Sequence, residues 1–505
     1  MTIQNTLWNN MKNENNVTTT ENGDKAYKSS LNALLDFLFK AGTMRNASDE
    51  EIINLFSNAL AENEVYAVRL AFYNRDIRGG QGERRFFRIC MKYLATTRPD
   101  TFNKIIKFIP EYGRWDDLIY LYFNINSFNI KDSIFRMIAD QLIKDLENCK
   151  NNKPISLLAK WMPSENASSA TTKAMAKGLI NNLGLSPKAY RKTLSLLRKK
   201  LDVVEVKMSA KEYDKINYST VPSIAMKNYN HAFAKNDEER FANYINELSS
   251  PNSTVKVNAS TLYPFDIIAK LTDGNYSFGV DVLSVNDVKL LDAQWNALPD
   301  FFEGKFDNAL VVADTSGSMY GTPINVCIGL AMYIAERNKG LFNNKFITFS
   351  GNPKLQEIKG KNIVEKAINL SQAEWGNNTD LNNVFKLLYN TAIKNNLKQE
   401  DLPSMLYIIS DMQFDSCCTG CKYTVFEKWQ QKFAEANYKL PTVCFWNVSQ
   451  YGNYNMPITI NNEGVILCSG YSPAIIKYIM ESDISDALLL VKNIVESKRY
   501  NSILA

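Results

Sequence analysis

Histidine is almost missing from this chain: His231 is the only one in 505 residues. Triad hydrolysis that moves its proton through an imidazole would have to use that residue. Its surroundings, "MKNYNHAFAKNDEERF", form a polar helical stretch with no nucleophile motif beside it, so that class of chemistry is not expected. Long apolar runs are missing as well. Nothing reaches the roughly 18 uninterrupted apolar residues of a membrane span, and the opening "MTIQNTLWNNMKNENNVTTTENGDK" has neither the basic nor the apolar region of a leader peptide. A soluble, cytosolic protein is the expectation. Charge of one sign is scarce too: 58 Lys and Arg stand against 53 Asp and Glu, a net +5. That balance permits nucleic-acid binding without requiring it, and clustering decides. Eight cysteines are too few for a disulfide scaffold in a chain this long. Cys90, Cys149, Cys327, Cys444 and Cys468 sit singly in apolar segments, as reduced core cysteines do. "CCTGC" (Cys417, Cys418, Cys421) contains a Cys-x-x-Cys pair, but no second pair follows at a suitable spacing. A loop with free thiols and a zinc site using Cys418 and Cys421 both stay open.

What the chain does have is enough apolar residue for packed cores, 45% against 22% charged, and a length that calls for two or more domains. The hydrophobic period divides it. From Ser29 to about residue 299, apolar residues recur at three- and four-residue spacing in "LNALLDFLFKAG", "EIINLFSNALAE", "EVYAVRLAFYNRDI", "ERRFFRICMKYLATT" and "DSIFRMIADQLIKDLE". Short helices joined by Gly, Pro and Asn turns suggest a HEAT-like solenoid or ring, although no clean repeat is present. Residues 1–28, rich in Asn and Thr at the start, are expected to be a flexible arm. From residue 300 to 505, "NALVVADTSGS", "NKFITFS", "KLQEIKG", "SMLYIISDMQF", "PTVCFWNVS" and "GVILCSG" read as strands alternating with helical segments. Strands apolar on both faces and alternating with helices predict a doubly wound, mainly parallel sheet. The expected fold class is therefore α plus α/β.

In such a sheet ligands sit at the carboxyl ends of the strands, where the winding reverses. Asp314, Ser316 and Ser318 lie immediately after the first strand, with Gly317 to tighten the turn and Pro323 in the next helix's first turn. Thr379, in "WGNNTDL", and Asp411, in "IISDMQ", add two oxygen donors at a loop-to-helix junction and a strand end. Five hard oxygen ligands of low total charge suit Mg²⁺ better than Ca²⁺ or a soft metal. The plain alternative is that Asp314 caps a turn.

"DTSGSM" with Thr379 and Asp411 resembles the metal-ion-dependent adhesion site of von Willebrand factor A domains, Asp-x-Ser-x-Ser with a distal Thr and a distal Asp. The resemblance implies Asp314, Ser316, Ser318, Thr379 and Asp411 as the ligand set of a Mg²⁺ or similar divalent cation. It also implies a partner that completes the shell with an acidic group.

Basic residues cluster twice. "RDIRGGQGERR" places Arg75, Arg78, Arg84 and Arg85 around a glycine turn where backbone N–H groups and guanidinium forks would meet a phosphate. Pairing of these arginines with Asp76, Glu83, Asp116 or Asp117 is the competing reading. Lys188 to Lys235 carries eleven basic residues against four acidic ones. Lys188, Arg191, Lys192, Arg198, Lys199, Lys200, Lys207 and Lys211 are its expected RNA contacts. Tyr190, Tyr213, Tyr218 and Tyr229 are interleaved, able to stack on unpaired bases or to fill a core.

A helical region ahead of such an α/β domain resembles the TROVE-containing Ro class. "YNRDIRGGQGERRFF", "YGRWDDL" and "LAKWMPSENASS" look like a Ro-related family of phages, bacteria and some eukaryotes. The resemblance implies a non-enzymatic RNA-binding protein that grips single-stranded or structured RNA ends, in a host cytoplasm or packaged in a phage particle. A metal-dependent protein scaffold without physiological RNA is the alternative. A metal-dependent nuclease would need a base, and neither Asp380 nor Asp415 is marked as one.

Overall fold

The computed structural model describes residues 15–250, 253–272, 283–303, 308–349, 352–371, 380–414, 424–450, 455–459, 462–481 and 487–505. The chain forms two compact units. One comprises Met1–Leu70, Arg78–Gln81 and Ala259–Tyr500; the other comprises Ala71–Ile77, Gly82–Asn258 and Asn501–Ala505.

The first unit is built on a six-stranded sheet of β3 (Ala309–Ala313), β4 (Lys345–Thr348), β5 (Leu355–Glu357), β6 (Met405–Ser410), β7 (Thr442–Asn447) and β8 (Val465–Ser469). The central strands "ALVVA" and "MLYIIS" and the edge strand "VILCS" are buried along their whole length, as strands covered on both faces must be. The order is β5-β4-β3-β6-β7-β8, parallel except for β5. Winding starts at β3, runs out to β5, and returns across β3 to β6. The doubly wound parallel sheet expected from the apolar runs is therefore present, and its reversal point falls between β3 and β6. The helix Thr322–Arg337 lies against β3 with thirteen of its residues buried. It also meets Pro264–Ile268 so closely that a Cβ on Gly329 would stand 2.8 Å from the Phe265 nitrogen.

The helical-to-α/β boundary does not fall at residue 300. Ala33–Ala41, "ALLDFLFKA", is apolar on nearly every side, and such a helix must be buried all round. It packs on β8, where the Ser469 hydroxyl donates to the Leu38 carbonyl at 3.1 Å. Residues 15–28 also depart from a flexible arm. β1 (Val17–Thr19) and β2 (Lys25–Tyr27) form an antiparallel hairpin, and Tyr27 bridges Met456 through two backbone hydrogen bonds of 2.9 and 2.7 Å. Thr20 Oγ1 donates to the Phe414 carbonyl at 2.7 Å, and Asn22 Nδ2 donates to the Gln413 carbonyl at 2.7 Å.

The second unit is helical. Arg84–Thr97 packs on Trp115–Asn124, that helix on Phe128–Lys150, and the latter on Pro187–Lys200, so packing runs mainly between helices near in sequence. Among the described residues no helix is long and apolar enough to cross a membrane.

Candidate metal centre and basic helix face

Ala313 and Ile409 pair across β3 and β6, and the Asp314 N–H extends that ladder to the Ile409 carbonyl at 3.0 Å. This register delivers Asp314 and Asp411 to the same end of adjacent strands. Both are buried, at 0% and 5% exposure. Asp314 Oδ1 accepts the Ser316 N–H at 2.9 Å, and Oδ2 accepts the Ser410 hydroxyl at 2.5 Å. Ser316 and Ser318 hydroxyls are 3.1 Å apart, and Ser318 donates onward to Asp411. Hydrogen bonds thus link the two carboxylates through both serines.

Electrostatics marks the pair. Burial first, and the Asp411 charge second, push Asp314 up to about 7 against hydrogen bonds that favour its charged form. Asp411 is raised by burial, with a further repulsion from Glu21. Neither carboxylate has an ion-pair partner among the described residues. No three His, Cys, Asp or Glu side chains gather as a metal cluster among the described residues, so a cation would rest on two carboxylates and neutral hydroxyls. That donor chemistry fits a hard divalent ion, which would relieve a repulsion that hydroxyls alone leave. Thr379 lies outside the described residues, as do Asp415 and the three cysteines of "CCTGC". Asp380 spends its carboxylate as the cap of Leu381–Lys394, accepting the Asn383 N–H at 3.0 Å.

Three details of this centre were not read from the sequence. The turn's positive φ belongs to Gly321 at 87°, not Gly317, while Pro323 does occupy the helix's first turn. Ser410, unremarked in "IISDMQ", holds Asp314 and also accepts the Met412 N–H at 3.0 Å, pinning a left-handed residue at φ 65°. Glu21 arrives on the hairpin, its N–H donating to Gln413 Oε1 at 2.8 Å.

The basic residues divide by use. Arg75 is buried and bound to Asp117, with its Nη2 at 2.7 Å; Arg84 meets Asp116 at 3.4 Å. Gly82 and Glu83 N–H groups go to the Asp76 and Asn74 carbonyls at 3.2 and 2.6 Å. The ion-pair reading therefore replaces the phosphate cradle for Arg75 and Arg84. Arg78 and Arg85 are exposed and have partners of their own. In the second block, Arg198 is a clamp: Nε donates to the Ala159 carbonyl at 2.9 Å, Nη1 to Ser164 Oγ at 2.8 Å and Nη2 to the Met162 carbonyl at 2.8 Å. Lys207 binds Asp202 at 2.7 Å, and Lys200 bonds the Asn152 side chain. Tyr190 and Tyr218 are core residues whose hydroxyls go to the Pro163 carbonyl and Asp237, so neither offers a face for base stacking. Lys188, Lys192, Lys199 and Lys211 are exposed and carry no ion pair among the described residues. Arg191 is exposed and, among the described residues, its ion pair is with Glu165.

A family model described as Domain of unknown function (DUF2828) matches residues 20–123 and 126–302, more than half of the chain. The chain belongs to the DUF2828 family. A second model, Domain of unknown function (DUF7788), matches residues 308–500, which take in the sheet and both aspartates. Over 516 aligned positions this DUF2828 chain is 32% identical to "Uncharacterized protein L728" of Acanthamoeba polyphaga mimivirus, covering 95% of this chain and 87% of that one. The crystal structure of the Deinococcus radiodurans RO (RSR) protein aligns over 92% of this chain and 99% of its own, at 12% identity and a TM-score of 0.35. That score carries no argument about fold or function. Within the part of the chain that the DUF2828 model matches, Arg114 is a further basic residue that sequence reading passed over. Its guanidinium stacks on Trp161 at 4.8 Å and makes no ion pair among the described residues. Burial, with Arg75 and Arg84 nearby, lowers its pKa.

Proposed function

We propose that this protein is a non-enzymatic RNA-binding protein whose α/β unit carries a Mg²⁺-type site for an acidic ligand. The observation that carries the RNA reading is the face of the Pro187–Lys200 helix. Lys188, Arg191, Lys192 and Lys199 share that face, all exposed, with one half-buried acidic partner, Glu165, among them. A cationic stripe along one helix suits a single-stranded phosphate backbone, and no groove-reading helix motif speaks for duplex DNA. Asp314, Ser316, Ser318 and Asp411 would hold the ion, with Thr379 as the remaining donor that the von Willebrand resemblance implies. When bound, the ion supplies a Lewis-acid point for a partner's carboxylate. A host cytoplasm or a phage particle is the location that goes with this reading.

The test is fluorescence anisotropy of a hairpin RNA with and without a single-stranded 3′ tail, titrated across salt. Tail-dependent binding that weakens with salt supports the reading. Absence of binding at low salt refutes it. The buried carboxylate pair favours a second reading, a metal-dependent scaffold for an acidic protein partner. In that case Asp314→Ala or chelator removes the partner and leaves RNA association unchanged.

A further inference from the structure

Beside the lysine stripe, the helical unit holds a cavity of about 270 Å³ between the Ser164–Asn166 loop and the Pro187–Lys200 helix. The helix wall includes Tyr190, Leu194 and Arg198, one turn apart, with Arg191 and Ser195 beside them. Two of these are fixed by their own bonds, Tyr190 to the Pro163 carbonyl and Arg198 to three acceptors on 159–164. The wall is therefore preorganised rather than free to collapse. Leu194 and Val206 supply apolar surface, while Ser164, Asn166 and Ser195 supply polar groups.

Glu165 sits among these groups as the cavity's carboxylate, held by Arg191, with side-chain exposures of 28% and 46% for the pair. An ion pair so open to solvent is weakly held and exchanges readily for another partner. Lys188, Lys192 and Lys199 project from the same helix, next around it to Arg191 and Ser195 at the cavity's outer edge.

A flat ring system with apolar faces and a polar edge matches this lining. The volume lies below the roughly 300–1,000 Å³ of drug-sized pockets, so it takes one ring system rather than a whole nucleotide. A carboxylate prefers an edge that presents two adjacent N–H donors, which among the common bases is the Watson–Crick edge of guanine. We propose that this cavity receives one unstacked guanine of a single-stranded RNA whose phosphates run along Lys188, Lys192 and Lys199. The proposal rests on the RNA reading above and adds a base-selective site to it.

The experiment uses the full chain and three labelled oligonucleotides: uridine decamer, the same decamer with one central guanosine, and the same decamer with a central abasic site. Wild-type protein binds the guanosine oligonucleotide about tenfold tighter than the abasic one, a usual worth for one held base. Ser195→Trp, at an exposed position that fills the cavity mouth, abolishes that ratio and leaves the salt slope alone. Glu165→Gln lowers the guanosine preference over uridine. Lys188→Glu with Lys192→Glu weakens all three oligonucleotides together. Equal wild-type affinity for guanosine and abasic oligonucleotides, with salt-sensitive binding intact, overturns the cavity proposal and spares the RNA reading. A preference that survives Ser195→Trp overturns it too. No salt-sensitive binding to any oligonucleotide overturns both.

Discussion

Ser410 donates its hydroxyl to Asp314 across two adjacent parallel strands, and the next residue in the chain is Asp411. One strand end thus supplies both a carboxylate and the group that steadies the other carboxylate. Metal-free, the two acids repel each other in a buried place, and only hydrogen bonds offset that repulsion. Asp314→Asn should therefore raise the melting temperature of the metal-free protein, or leave it unchanged, while abolishing stabilisation by Mg²⁺. Ser410→Ala should do the reverse to the metal-free protein, costing about 1–3 kcal/mol for the buried acceptor left unmet. Melting curves with Mg²⁺ and with chelator check both. A Mg²⁺ shift preserved in Asp314→Asn would remove the metal centre.

The same pair sets a pH dependence. Asp314 holds its proton up to about 7 in the folded chain, against an ordinary value of 3.8. Between those values the native state carries a proton that the unfolded state has lost, so metal-free stability falls as pH rises through that window. Mg²⁺ competes with that proton. Its stabilising effect should be small at about pH 5.5 and full by about pH 8, on either side of the folded-state value, read as the difference in melting temperature at each pH. A Mg²⁺ effect independent of pH would place the ion elsewhere.

The sheet was legible because each central strand is apolar on both faces, a pattern that survives without any knowledge of partners. "DTSGSM" was legible for a similar reason: a strand end followed by alternating oxygen donors needs only local sequence. The hairpin was not. "VTT" and "KAY" are three-residue strands that pair with each other, and the residues that hold their hairpin, Gln413 at the turn and Met456 at Tyr27, lie about 390 and 430 residues downstream. For Arg75 the sequence leaves two readings open, a phosphate contact or an ion pair with Asp116 or Asp117, and only the fold decides between them by bringing Asp117 to it from 42 residues away. Arg198 was readable: it lies four residues after Leu194 and eight after Tyr190, on the helix's inner face, while Lys199 points one step outward. Counting charge without helix phase hid that difference.

This phase difference yields opposite phenotypes for adjacent residues. Arg198→Ala removes a clamp of three hydrogen bonds and should cost about 2–4 kcal/mol of stability, since charged donors to buried acceptors are worth more than neutral ones. Lys188→Ala, Lys192→Ala and Lys199→Ala together should leave the melting temperature within about 1 °C, as exposed cations without ion-pair partners add little to stability. They should also flatten the RNA salt slope by about 2, near 0.7 for each phosphate that is no longer neutralised. Urea denaturation and anisotropy separate the two effects.

The hairpin gives a prediction for dynamics. It is fastened to the Asp411 loop largely through Gln413, which accepts the Glu21 N–H on its side chain and the Asn22 amide on its carbonyl. Gln413→Ala should speed amide hydrogen exchange across residues 17–27 without changing exchange in β3 or β6. It should also weaken Mg²⁺ binding by a few-fold, because Glu21 then leaves the neighbourhood of Asp411 and its negative charge no longer favours the ion. Unchanged exchange at residues 17–27 would show that the bonds to the Gln413 and Phe414 carbonyls and the Met456 bridge hold the hairpin without the Gln413 side chain.

Asp117 separates structural from available arginines. It is fully buried and accepts Arg75 at 2.7 Å, Arg88 at 2.6 Å and the Arg114 backbone N–H at 3.0 Å. Removing Arg75 leaves a buried charge short of a partner, a change that costs about 3–5 kcal/mol. Arg114 contributes only its main chain to Asp117, and its guanidinium lies on Trp161. Arg114→Ala should therefore cost less than about 1.5 kcal/mol, the loss of a stacked cation and its packing. Urea denaturation of the two variants side by side tests this. Equal losses would mean that the Arg114 side chain is part of the ion-pair network.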